Sequence, residues 1–219
     1  ASSIPAPDSN HIRMAAATGR RIVDMVWQDH KPTDVITRAA VENAMTVAMA
    51  TGCSTNAIIH LVAMARRAGV DLTMDDLDKR GRDVPVIANI RPSGDTYLME
   101  DFFYAGGLRG LMSNIADSLH LSVVTVDGTT LAENLDGAKV FDDDVIRPVS
   151  NPIYPEGALA VLRGNLAPDG AVIKPCAMEQ HLLVHEGPAL VFDSYPEMKA
   201  AVDDPDLDVT ADHILVLRN

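Results

Sequence analysis

The side chains with chemistry to offer in this 219-residue chain are two thiols, a run of hydroxyls at a turn and a pair of carboxylates. Gly52-Cys53-Ser54-Thr55-Asn56 reads as a turn that puts Ser54, Thr55 and Asn56 at the start of a helix. Free backbone N–H groups at a helix start, with the helix dipole behind them, favour an anion or an electronegative ligand atom. The plainer reading is that Ser54 or Thr55 caps the helix. Cys53 beside that start has either a lowered pKa and reactivity or the role of a small buried apolar residue. Glu100 and Asp101 lie inside the apolar segment Met99–Phe102. Buried carboxylates need partners, so this pair is either salt-bridged or part of a site for a metal or for hydroxyls.

Other motifs carry less. Cys176, in Lys174-Pro175-Cys176-Ala177, has no obvious base beside it. His181 and His185 have metal-ligand spacing for a helix, but no Glu stands between them as the zinc-protease pattern requires, and Gly187-Pro188 follows at once. They read as structural or surface histidines. Asp142–Asp144 lacks the spaced ligands and closing Glu of a calcium loop, and reads as a solvated charge run. Arg163–Gly170 is a turn-forming link between strands, of a composition that also suits a loop beside a substrate pocket.

The elements that must position these groups follow from periodicity. Residues 8–30 read as a helix with Ile12, Ala15, Ala16, Ile22, Val23 and Val26 as an apolar stripe. A second helix runs from an N-cap at Thr37 to Ala50. A third runs through Arg67 to Gly69, apolar on every side and so expected in the middle of a core. Thr73 with Asp76 opens a short helix. Val84–Ala88 and Val123–Val126 read as short strands, with one or two helices over 97–118 and a short helix from Thr130. Asp142–Asp144 with Pro148, Pro152 and Pro155 marks a linker. Beyond it, Ala158–Leu162, Gly170–Ile173, Ala189–Phe192 and Ile214–Leu217 are strand-like, and Ser194, Pro196 and Glu197 start one helix among them. The expectation is an α/β (α+β) chain, mainly helical over 1–145 and β-rich over 146–219.

Composition narrows the function. Eighteen basic against 31 acidic residues give a net charge of −13, which repels phosphate backbones and argues against nucleic acid and anionic membrane surfaces. Two cysteines make no disulfide framework and cannot by themselves hold a zinc or an iron–sulfur cluster, and a cytoplasmic location is the simplest expectation. The 23 uncharged residues from Asn43 to Ala65 are broken by Thr51–Asn56, so they read as two buried helices and not a membrane span. With Ala-Ser-Ser at one end and an apolar run just before the other, the chain reads as an internal piece of a longer protein.

Taken in order, several segments together resemble the dihydroxy-acid dehydratase and 6-phosphogluconate dehydratase family, in its sugar-acid (aldonate) branch. They are Gly52–Ala57; Arg91-Pro92-Ser93-Gly94 with Tyr97–Asp101; Tyr104-Ala105-Gly106-Gly107; Leu162–Lys174; Gly187-Pro188-Ala189 with Val191-Phe192-Asp193; and Ile214–Arg218. Cys53 stands where the family usually has Gly, and Cys176 where sugar-acid members often have Ser.

The resemblance implies a hydro-lyase that removes water from a 2,3-dihydroxy acid to give a 2-oxo acid. It implies an iron–sulfur cluster, of 2Fe-2S type, as Lewis acid on the C3 hydroxyl. It also implies Mg2+ on the carboxylate and C2 hydroxyl, and a serine alkoxide as base. The family's Cys-Asp-Lys motif and its Gly-Arg-x-Ser-Gly-like stretch do not occur here. No catalytic residue and no metal ligand is therefore carried over, and the chain alone is expected to be inactive. Ser54, Thr55, Asn56, Glu100 and Asp101 remain as candidates for lining a substrate pocket. The resemblance further implies a swivelling β-barrel-like domain in the second part, and a small hydroxy-acid substrate and homo-oligomer formation for the parent. The alternative is a non-catalytic structural or interaction module on the same scaffold.

Overall fold

The computed structural model describes residues 3–218. Its first helix, α1 (Ser9–Trp27), begins where the Asp8 carboxylate accepts the N–H of Asn10. The apolar stripe expected on it is real, but Ile12, Ile22, Val23, Val26 and Trp27 all stand in solvent, and only Met25 is buried. A one-turn helix, α2 (Pro32–Val35), leads to α3 (Arg38–Thr51), capped by Thr37, whose hydroxyl accepts from Ala40 N–H.

Helix α3 is the centre of the first compact unit, which extends to Ala177. Val41, Met45, Met49 and Ala50 are buried along it, and each large apolar side chain removed from water there contributes about 1.5–3 kcal/mol. Thr46 is also buried, its hydroxyl donating to the Glu42 carbonyl, so the polar group is not left unpaired.

The next helix, α4 (Asn56–Arg67), corrects an expectation. Only Ile58 and Ala65 are buried, while Ile59 is 69% and Met64 53% exposed. A sequence that is apolar all round does not reveal how many faces have partners, and here the buried residues lie on one face. Helix α5 (Met74–Asp83) has the capping box read at Thr73 and Asp76.

Val84–Ala88, expected as a strand, is extended and almost fully buried but belongs to no sheet. Its hydrogen bonds are shared among unconnected partners: Ile87 and Ala88 N–H donate to Ala50 O, and isolated bridges join Val86 to Tyr154 and Ala88 to Ile146. The expected linker supplies those partners, and Val145 and Ile146 are themselves buried. Helices α6 (Met99–Tyr104) and α7 (Gly107–Asn114) flank Gly106 as expected. Val123–Val126 makes one bridge, Val124 to Thr130, because the chain turns back at once around Asp127, and α8 (Leu131–Leu135) starts at Thr130. Strands β1 (Ala160–Gly164) and β2 (Ala167–Ile173) form an antiparallel hairpin, Val161 opposite Val172.

The second unit begins at Met178. Strands β3 (Ala189–Phe192) and β4 (Ile214–Leu217) are parallel, Leu190 opposite Leu215, with α9 (Tyr195–Val202) as the crossover. Ser194 accepts the N–H of Glu197, and the Glu197 carboxylate reaches Asp193 N–H and not the cap residue itself. The structure is thus a mixture of helix and sheet, of the expected α/β class. The strands among the described residues make two two-stranded sheets, not a closed barrel. None of the described helices is long and apolar enough to cross a membrane.

Candidate active-site wall

The Gly52–Asn56 turn is built by the end of α3. Thr51 donates its hydroxyl to Val47 O at 2.8 Å, and Gly52 follows in the left-handed conformation with φ of 73°. Cys53 N–H returns to Ala48 O at 3.1 Å, satisfying a carbonyl that the helix end would leave open. Ser54 Oγ accepts the N–H of Asn56 at 3.3 Å, so the capping role read for this hydroxyl is present. Thr55 occupies the N-cap position of α4 with no side-chain bond to the helix.

Beside this turn lies a cavity of about 400 Å³, in the size range of small-molecule sites. Most of its wall comes from four stretches, Thr51–Ser54, Ile90-Arg91, Met99 with Phe102, and Leu108, with Ser3 and Val47 completing it. The loop after Ile90 is held by Arg91 N–H donating to Tyr97 O at 3.0 Å and by Gly94 N–H donating to Ile90 O at 2.8 Å. Arg91 Nε donates to Asp95 O at 2.9 Å, and among the described residues its guanidinium has no carboxylate partner. A groove of about 460 Å³ runs between α1 and α2, but Met14, Ile22, Met25 and Ile36 line it and it has almost no polar surface to bind a hydroxy acid.

Of the five candidate residues, Ser54 is on the cavity wall. Thr55 and Asn56 stand exposed at the start of α4, and Glu100 is exposed on α6. Asp101 is half-buried and accepts Leu98 N–H at 2.7 Å, a helix-start role that the apolar setting of Glu100 and Asp101 did not reveal. Sequence reasoning did not single out Thr51 or Arg91, although Arg91 is the one cation in Arg91-Pro92-Ser93-Gly94.

Burial pushes the Cys53 thiol up to about 11, against the pull of the nearby Lys174 ammonium. A thiol raised in this way is almost wholly protonated at neutral pH and so reacts slowly. Cys176 turns its thiol toward Ala158 O. His181 lies by Glu179, and His185 Nε2 lies 3.0 Å from Asp212 O, so the two histidines serve separate partners. Among the described residues no three His, Cys, Asp or Glu side chains converge on a metal position. By themselves the residues present therefore make no ligand set for an iron–sulfur cluster or a Mg2+ ion.

The four stretches around the cavity are segments of one family. Residues 1–134 match its N-terminal part, described as dihydroxy-acid/6-phosphogluconate dehydratase N-terminal, and residues 144–219 match the corresponding C-terminal part. The chain belongs to the dihydroxy-acid/6-phosphogluconate dehydratase family. It is similar to a 6-deoxy-6-sulfo-D-gluconate dehydratase of Pseudomonas putida, 51% identical over 100% of this chain and 38% of that protein. It is 47% identical to an L-arabinonate dehydratase of Rhizobium leguminosarum, over 99% of this chain and 38% of the relative. It is 44% identical to a dihydroxy-acid dehydratase of Acetivibrio thermocellus, over 88% and 35%. The chain thus spans less than two-fifths of the length of these relatives.

Proposed function

We propose that this chain is the central part of a hydro-lyase that dehydrates a 2,3-dihydroxy sugar acid to a 2-keto-3-deoxy acid. The observation that carries the proposal is the convergence of separate family-like segments, from Gly52 to Leu108, on one cavity. A hydroxyl at Ser54 and a guanidinium at Arg91 suit a polyhydroxylated anion, while Met99, Phe102 and Leu108 form the apolar part of the wall. Thr55, Asn56, Glu100 and Asp101 remain the further candidates for substrate contact.

In this reading, residues 1–145 complete the parent's first domain, and 146–219 contribute to a β-rich, barrel-like second domain. The 2Fe-2S cluster and Mg2+ belong to stretches of the parent not contained here; when bound there, the cluster would supply Lewis acidity to the leaving C3 hydroxyl and Mg2+ would hold the carboxylate and C2 hydroxyl. The parent is a homo-oligomer of the cytoplasm. The similarity to sugar-acid dehydratases supports an aldonate over a branched dihydroxy acid.

The test is to isolate the whole parent protein with its cluster and incubate it with a panel of aldonates and dihydroxy acids. Release of a 2-keto-3-deoxy acid from an aldonate is expected, with none from the 219-residue chain. A cluster-loaded parent that turns over none of the panel would overturn the proposal. The second reading, a non-catalytic interaction module, is favoured by the uncovered apolar face of α1, on which Trp27 is 83% exposed. Capture of a heterologous protein by an inactive parent would support it.

A further inference from the structure

Lys174 directly follows β2, so the hairpin sets its position. From 122 residues away it donates to Gly52 O at 2.6 Å, and Ser93 Oγ donates to the same oxygen at 3.1 Å. Gly52 is the C-cap of α3, a helix with no basic residue in its last turn. The ammonium thus meets the negative end of that helix. Among the described residues Lys174 has no carboxylate partner. A half-buried cation whose partner is a neutral carbonyl keeps its field, and here it lies behind a wall that carries Arg91 and Ser54 as well.

We propose that Lys174 is a positioning residue of this cavity. Its ammonium holds the Gly52 carbonyl, and so the Cys53–Ser54 wall, and fixes a positive charge behind the place taken by the anionic end of a hydroxy acid. The substrate part of this inference rests on the dehydratase reading; the brace and the charge do not. Cys53 already responds to the charge, since Lys174 pulls its thiol down against burial.

Cys53 also serves as the reporter. In the chain carrying Cys176→Ser, its alkylation by iodoacetate and by iodoacetamide is followed by intact mass at pH 9 and low ionic strength. The ratio of the two rates cancels thiolate fraction and access and leaves the preference for an anionic reagent. Lys174→Gln and Lys174→Met should lower that ratio about threefold or more, as expected for one unit charge within several ångströms. Lys174→Arg and Ser93→Ala should retain it. If Lys174→Met fails to fold, Lys174→Gln, which can still donate to Gly52 O, carries the comparison. An unchanged ratio in the neutral variants, or an equal fall in Ser93→Ala, overturns the proposal. The ratio needs no turnover, so a parent without dehydratase activity would sink the functional reading and leave this one intact.

Discussion

A Cβ on Gly52 would sit on the Ser93 hydroxyl oxygen and 2.6 Å from the Ser93 Cβ. The end of α3 and the loop after Arg91 therefore close on each other only because residue 52 has no side chain. Its φ of 73° would strain any other residue as well. Gly52→Ala should cost about 1–3 kcal/mol, from strain and displacement of Ser93. Urea unfolding measures this directly. A loss no larger than that of Gly69→Ala, at a positive-φ glycine whose Cβ would meet open space, would show that the close approach is unimportant.

Gly81 lies inside α5, where alanine ordinarily stabilises a helix by about 1 kcal/mol. Here the sign should reverse. An added Cβ would lie 2.5 Å from the Leu159 carbonyl oxygen, and Gly157 N–H donates to Gly81 O close by. Backbone cannot rotate away as a side-chain tip can. Gly81→Ala should lower stability by about 1–3 kcal/mol, with the thermal midpoint as the readout.

Asp76 joins two roles, closing the capping box of Thr73 and receiving Arg38. The Arg38 hydrogen bond first, then the Thr73 backbone and hydroxyl, lower its pKa to about 2 from the ordinary 3.8. A carboxylate depressed on folding contributes stability above its unfolded pKa and loses it as pH falls through the folded one. The contribution should therefore be complete above about pH 4 and fade toward pH 2. Arg38 is partly exposed, so solvent screens the pair, and Asp76→Asn should cost about 1 kcal/mol at pH 7. In acid melts the difference between the unsubstituted chain and the Asp76→Asn variant should shrink as pH falls from about 4 to 2 and vanish below pH 2. A constant difference across that window would refute the assignment.

Burial of the Cys53 thiol predicts slow chemistry. At pH 7.5 its alkylation by iodoacetamide should be about 100-fold slower than that of an unhindered cysteine, from thiolate fraction alone. Peptide mapping with time resolves it from Cys176. A fast-reacting Cys53 would revive a thiol-based function for this turn.

Local signals were legible in the residues themselves. Thr37, Thr73, Thr130 and Ser194 each accept the helix N–H that their position implied. The four strand-like runs after residue 157 overlap the four strands formed. These features depend on neighbours within a few residues, so spacing alone specifies them. The surface position of α4 was not legible, because Ile59 and Met64 are apolar whether or not anything covers them. The Val84–Ala88 segment has the apolar run of a strand and is extended and buried, but its partners are a helix end and single distant residues, which no local pattern encodes.

The same division holds for the site. Residue order determined the family, the helix starts and Ser54 at a turn, since each is written in contiguous motifs. Only the folded chain decided that Arg91 lines the cavity beside Ser54 and that Lys174 grips Gly52. Those meetings span 37 and 122 residues of sequence and depend on how α3, the loop after Ile90 and the β1–β2 hairpin pack, a geometry set by burial and close approach and not by spacing.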